Sequence, residues 1–350
     1  MNRFLKEIHE QPQALRNTLE YLTGSQGIET LKNIRALWNS GKFDHILFTG
    51  MGSSYFTGFY ASCLLSDAGI PSFVLNAGEL LHYHNKLLNN RSLLVCISQS
   101  GESFEVVKIL ERLPGEATTI GITNEENSTV ARRSSIVLTG RAGKEEMTSS
   151  KTYVSMLLVS YVFCKMLSNQ INDSNYQGIE SAINAVESFI TEIPGSINNL
   201  MEFLGQPSYV QLIGRGAAYA SVMQGALMFR EGARTPAAGT FGGEFRHGPM
   251  EMVKEGFTAI ILGPDGVSFK QSVSLTRDIV KFGGKVIFIS NRNPDIGSSS
   301  VYFINVPCSD EHLFPIPAII PLQFMVNRWA ESQGNEPGDF IRGAKVTTSE

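Results

Sequence analysis

One strand-and-turn pattern occurs twice in this chain, and the repeat restricts the fold more than any other feature. His45-Ile46-Leu47-Phe48-Thr49-Gly50-Met51-Gly52-Ser53-Ser54 is an apolar run entering a Gly/Ser turn, with a helical pattern from Tyr55 to Leu65 behind it. Tyr209-Val210-Gln211-Leu212-Ile213-Gly214-Arg215-Gly216 repeats it. Gly50, Gly52 and Tyr55 find Gly214, Gly216 and Tyr219, each 164 positions on (214 − 50). Phe257 to Phe269 matches the stretch that starts at Leu93, and Val286 to Asn291 matches Ile120 to Asn124. Pro71 to Leu75 and Ser135 to Leu138 are further strand candidates of the first half. Short buried runs alternating with helices require parallel pairing and a doubly wound sheet. The expectation is an α/β chain holding two copies of one domain. The boundary is placed near Pro194-Gly195-Ser196. Residues 1–195 then hold N-terminal helices and the first copy, and residues 196–350 hold the second copy and the C-terminal tail.

The two copies differ after the third strand. In the first, Leu93-Leu94-Val95-Cys96-Ile97 breaks into Ser98-Gln99-Ser100-Gly101-Glu102-Ser103, and Phe104 to Leu110 follows at helical spacing. Hydroxyl and amide side chains beside free backbone N–H groups at a helix N-terminus form a ready site for a phosphate dianion. The plain alternative is that Ser100 or Ser103 only caps the helix. The density of hydrogen-bonding side chains favours the anion site. In the second copy Gly263-Pro264-Asp265 stands in that place, and a carboxylate repels phosphate. One phosphate site per chain is expected, in the first copy.

Charge and composition exclude several classes. The net charge is −4 and no basic block occurs, which argues against nucleic acid as a partner. Met1 to Glu7 has no apolar signal core, and no stretch approaches the roughly 18 apolar residues of a membrane span. A cytoplasmic protein is expected. Cys63, Cys96, Cys164 and Cys308 are far apart in apolar runs and read as buried core thiols. His82 and His84 alone have any metal-like spacing, and no metal or cofactor is expected.

Reactive groups recur in three other places: Arg230-Glu231, the turn Gly243-Glu244-Phe245-Arg246-His247-Gly248-Pro249, and the tail Gly343-Ala344-Lys345-Val346-Thr347. A carboxylate, an imidazole and an amine suit aldose–ketose chemistry, in which they move a proton between neighbouring carbons, open a sugar ring and form an imine. Singly, each has a bland reading. Glu231 can pair Arg234, Glu244 can pair Arg246 or Arg230, His247 can cap its turn, and Lys345 can be solvated.

Taken together, these residues resemble the sugar isomerase (SIS) family, and within it the tandem-SIS isomerase half of the glutamine–fructose-6-phosphate amidotransferases. The likeness covers nearly the whole chain. It includes Lys6 to Pro12, Gly52-Ser53-Ser54-Tyr55, Ser98 to Ser103, Ser149-Ser150-Lys151, the His247-Gly248-Pro249 turn and Ala344-Lys345-Val346-Thr347. It implies two tandem doubly wound, flavodoxin-like SIS domains with parallel five-stranded sheets flanked by helices. By the same resemblance Ser98, Gln99, Ser100 and Ser103 hold a sugar 6-phosphate, with Ser53, Ser54, Ser149 and Ala344 nearby. Glu231 stands where the family keeps its C1–C2 proton-transfer base, 16 positions before His247 (247 − 231). His247 stands at the ring-opening position, which the family lends from a neighbouring subunit, so a homodimer or larger homo-oligomer with shared sites is implied. Lys345 stands at the imine-forming position.

Three departures shape the expected activity. Met1 is followed by Asn2 and SIS-type sequence, so no glutaminase activity is expected. Gln224 and Met228 replace an acid and a lysine of the amidotransferases. The segment before Ser149 is one residue shorter. The resemblance therefore points to a fructosamine-6-phosphate deglycase or a glucosamine-6-phosphate deaminase/isomerase. The alternative from another class is a non-catalytic SIS sensor that binds a sugar phosphate. Glu231, His247 and Lys345 together argue against it, because a sensor needs only the phosphate loop.

Overall fold

Each half of the chain forms a five-stranded parallel sheet. The structure is a computed structural model, and it describes residues 1–113, 117–347 and 349. In the first half the strands are β1 (His45–Gly50), β2 (Ser72–Asn76), β3 (Ser92–Ile97), β4 (Thr119–Thr123) and β5 (Ile136–Thr139), in the order β2-β1-β3-β4-β5. That is the flavodoxin-like winding. β3 is buried along its whole length, as its uninterrupted apolar run requires. One face of the sheet packs Leu47, Leu94 and Cys96 against Leu80, Val106, Ile109 and Val130 of the covering helices. On the other face Phe48 meets Phe163 edge-on, from the helix Lys151–Leu167, which is buried along its length except at Lys165.

The second half repeats the plan with β6 (Val210–Gly214), β7 (Ala237–Phe241), β8 (Thr258–Leu262), β9 (Lys285–Ser290) and β10 (Val301–Asn305). The order is β10-β9-β8-β6-β7, all parallel, which is the same winding counted from β6. Gly50 and Gly214, paired by the repeat, both end a first strand. Gly52 and Gly216 have φ of 50° and 54°, a region that suits glycine. The repeat pattern did not single out β7 and β10. They are the sheet edges, only half buried, and a strand covered on one side carries a weaker apolar signal.

The chain forms two compact units. One takes Glu10–Asn175 with Ile341–Glu350, and the other takes Met1–His9 with Tyr176–Phe340. The C-terminal tail thus groups with the first sheet, where the sequence had assigned it to the second half. Pro194-Gly195-Ser196, read as a boundary, lies inside the helix Asp173–Leu204. Ile179, Ile183, Val186, Ile190 and Ile193 are buried along that helix, and packing of this stripe outweighs the proline's missing N–H. Residues 1–40 are helical as expected, in Arg3–His9, Gln11–Thr23 and Ser25–Trp38.

Candidate active site

Strand order reverses between β1 and β3, because their following helices leave to opposite faces. In open α/β sheets the carboxyl ends of such a pair form the binding crevice. The loops after β1 and β3 approach closely there. A Cβ on Gly50 would lie 2.8 Å from the Ile97 carbonyl oxygen. Ser53 and Ser54 open the helix Ser53–Asp67, Ser53 half-buried and Ser54 buried.

The loop Ser98–Ser103 is tied to its surroundings through its backbone. Ser98 N–H donates to Ile122 O at 3.0 Å, Gln99 O accepts from Asn124 N–H at 3.1 Å, and Gly101 O accepts from Val130 N–H at 3.0 Å. Glu102 Oε1 accepts from Thr129 N–H at 2.6 Å. Gly101 has φ of +64°, and a Cβ there would meet Ser128 Oγ at 2.0 Å, so only glycine fits. Ser98 Oγ is buried and lies 3.0 Å from Ser103 Oγ. Ser98 Oγ also accepts from Gly101 N–H, and Ser100 Oγ accepts from Glu102 N–H. Ser103 precedes the nine-residue helix Phe104–Arg112 and makes no side-chain cap bond to it. Thus the loop gathers Ser98, Ser100 and Ser103 hydroxyls at a helix start, and the Gln99 side chain is half-buried beside them.

The tail reaches this loop. Thr347 O accepts from Phe104 N–H at 3.1 Å, the first N–H of the helix. Two residues earlier, Lys345 Nζ donates to Glu145 Oε2 at 2.6 Å, to Met147 O at 2.5 Å and to Ser149 Oγ at 3.5 Å. Ala344 is exposed beside it. Lys345 is therefore no solvated tail residue: its side chain is 17% exposed and that of Glu145 is 0% exposed. Sequence reasoning missed Glu145. Its carboxylate accepts from Ser150 N–H at 2.9 Å, Thr152 N–H at 3.0 Å and Thr152 Oγ–H at 2.6 Å, and so caps the helix Lys151–Leu167. It does so from five positions before Ser150, a spacing that no capping pattern flags. Burial would raise the Glu145 carboxyl, but the Lys345 ammonium and the bonds from Lys345 and Thr152 hold it below its ordinary value.

Glu231 and His247 belong to the other unit. Glu231 is the last residue of the helix Ala218–Glu231, whose Gln224 and Met228 are both fully buried. Both are thus core positions. Arg234, offered as a partner for Glu231, donates to Asn335. The His247 turn is anchored by Phe245, which is fully buried, and leaves Glu244, Arg246 and His247 exposed. Arg246 pairs with Asp278 at 2.6 Å. Gly248, at φ +125°, lets the chain leave the imidazole for Pro249. In the second copy's loop, Asp265 pairs with Arg292 at 3.1 Å, and a Cβ on Gly266 would meet the Glu311 carboxylate at 2.0 Å. Two carboxylates therefore border the loop that lacks the serines.

Cys96, Cys164 and Cys308 are buried and Cys63 is half-buried. Burial pushes the Cys96 and Cys308 thiols up to about 12 and Cys164 well above its ordinary value, so these three are not nucleophiles at neutral pH. Among the described residues no group of three or more His, Cys, Asp or Glu could hold a metal ion. Among them, no helix is long and apolar enough to cross a membrane.

The chain matches the SIS domain profile twice, over residues 42–166 and 204–330. It is 30% identical to the glutamine–fructose-6-phosphate aminotransferase (isomerizing) of Pyrococcus horikoshii, over 99% of this chain and 57% of the relative. The protein of the same name in Methanothermobacter thermautotrophicus is also 30% identical, over 99% and 57%. The chain spans less than two thirds of the length of these relatives. The C-terminal domain of glucosamine-fructose-6-phosphate aminotransferase from Francisella tularensis superposes with a TM-score of 0.85 at 24% identity, covering 97% of this chain and 98% of that one. The glucosamine-6-phosphate deaminase of Thermotoga maritima gives a TM-score of 0.76 at 20% identity, with 99% of both chains covered. At such identities the structural likeness carries the fold.

Proposed function

The chain belongs to the SIS domain family, and from that premise we propose that it is an enzyme acting on a 6-phosphorylated amino sugar or sugar–amine adduct. The reaction class is that of a fructosamine-6-phosphate deglycase or a glucosamine-6-phosphate deaminase/isomerase. The observation that carries this reading is the conjunction within one unit of the serine loop Ser98–Ser103 and the tail amine. Thr347 meets Phe104 at the end of that loop, and Lys345 meets Ser149. A phosphate loop alone suits a sensor; a phosphate loop with an amine beside it suits imine chemistry.

In this reading Ser98, Gln99, Ser100 and Ser103 bind the 6-phosphate, with Ser53, Ser54, Ser149 and Ala344 completing the surroundings. His247, from a neighbouring subunit, helps the ring open. Lys345 attacks the open-chain carbonyl, and Glu231 moves the proton between C1 and C2. The names of the aminotransferase relatives and of the glucosamine-6-phosphate deaminase concern hexose 6-phosphates, which supports the substrate class. Gln224 and Met228 support deglycase or deaminase chemistry over amidotransfer, since the charged pair of the amidotransferases is replaced by buried neutral side chains. The working compartment of such an enzyme is the cytoplasm.

The test is to incubate the protein with a panel of phosphorylated amino sugars and fructosamines and to measure released ammonia, amine and hexose phosphate. Turnover lost in Glu231→Gln, with sugar phosphate still bound, is the expected result. Binding without turnover or proton exchange by the unaltered protein across the panel would refute the enzymatic reading in favour of the sensor.

A further inference from the structure

Glu145 is a fully buried carboxylate to which the proposed reaction gives no part. Four donors from Ser150 and Thr152 surround it: both backbone N–H groups and both hydroxyls, the Ser150 hydroxyl at 3.3 Å. These residues lie only five and seven positions beyond Glu145, so the carboxylate is fixed by its own loop and helix start without help from the tail. Lys345, 200 positions away, is what the arrangement holds. Its ammonium has three protons and meets three acceptors, Glu145 Oε2, Met147 O and Ser149 Oγ. Such a socket places the amine but blocks its lone pair. An amine that is to attack a carbonyl must first give up a proton, and Oε2 of Glu145, at 2.6 Å, is a charged acceptor in direct contact.

We propose that Glu145 is the positioning residue of the tail lysine, seating its Nζ beside the serine loop and taking the proton it must lose before imine formation. This rests on the reading of Lys345 as the imine-forming amine. The proton passes from Nζ to Oε2 and leaves a neutral amine and a neutral carboxylic acid. The nitrogen lone pair attacks the sugar carbonyl carbon, and the C=O electron pair moves to oxygen, which takes a proton from the nitrogen. Loss of water gives the imine, and the Glu145 proton returns to its nitrogen. The iminium and carboxylate then face one another as the ion pair did before.

The test uses two probes on the full chain, Glu145→Gln against the unaltered protein, with modification of Lys345 read by peptide mass spectrometry. Formaldehyde with cyanoborohydride reports how accessible the amine is, scaled to the exposed Lys254. Fructose 6-phosphate with borohydride reports productive placement. Loss of the socket should raise Lys345 methylation and lower sugar trapping, each by about tenfold, the ratio given by 1.4 kcal/mol of docking. Glu145→Asp should recover part of both. Thr152→Val, which removes one hydroxyl bond to Oε2, should move both in the same senses by less, and it decides the matter if Glu145→Gln does not fold. A carboxylate that serves only as a helix cap would leave both rates unchanged. That result, or two changes of the same sign, overturns the proposal. If no sugar is trapped on the unaltered protein, the functional reading of Lys345 falls, and the methylation ratio alone decides whether Glu145 seats it.

Discussion

Gly101→Ala probes how rigidly the serine loop is built. Three costs follow from its geometry. Alanine in the left-handed region at φ +64° costs about 1–2 kcal/mol. The new Cβ would lie 2.0 Å from Ser128 Oγ and 2.3 Å from Ser128 Cβ, so the start of the helix Thr129–Arg133 has to move. That movement threatens the bond from Val130 N–H to Gly101 O and the cap from Ser128 Oγ to Ala131 N–H, each worth about 1 kcal/mol. The total is about 3–4 kcal/mol, and phosphate affinity should fall with it, because Gly101 N–H also fixes Ser98 Oγ. Ser128→Gly removes both obstructing atoms. The double variant should keep only the backbone cost and the few tenths of a kcal/mol that a Ser-to-Gly cap change costs, about 1.5–2.5 kcal/mol, with a favourable coupling of roughly 2 kcal/mol. Hydrogen exchange of peptides from β3 through the helix Phe104–Arg112 gives the stability, and titration with inorganic phosphate gives the affinity. A Gly101→Ala protein within about 0.5 kcal/mol of its parent, with unchanged phosphate binding, would refute the reasoning.

Three other outcomes are expected. Ser98→Ala with Ser100→Ala should cost about 3–6 kcal/mol of sugar 6-phosphate binding, at roughly 1.5–3 for each charge-assisted bond, as calorimetry can measure; binding that survives the double change contradicts the first copy's role. Mixing Glu231→Gln and His247→Ala proteins under subunit exchange should restore part of the turnover if the two residues serve one site from different chains, and a fully active monomer in dilute solution contradicts it. The Glu145 carboxyl is held below its ordinary value of 4.5 in the folded chain, so its contribution is present above that value and is lost as pH falls through the lowered one. Protection of the tail, followed by limited proteolysis, should therefore persist through weakly acidic pH and vanish only below about 4.5, while Glu145→Gln should lack this acid transition.

The fold was legible because it rests on local patterns. Apolar runs such as Leu93 to Ile97 and the glycine turns at Gly50-Met51-Gly52 and Gly214-Arg215-Gly216 are set by burial and backbone conformation, which neighbouring residues largely determine. Their recurrence gave two domains without reference to any contact. The edge strands β7 and β10 escaped because half-burial leaves a mixed pattern. The serine loop was also legible, since its residues are consecutive. Tertiary structure alone decided the rest. Pro194 reads locally as a break, yet a buried stripe carries the helix through it. The tail follows the second copy in sequence but packs with the first, because the Glu145 carboxylate and the Phe104 N–H offer it partners there. Glu145 itself had no signal. Its meaning lies in a carboxylate without solvent, which needs a cation, and that cation comes from 200 residues away. Periodicity records which face of an element is buried; it does not record which buried charges meet.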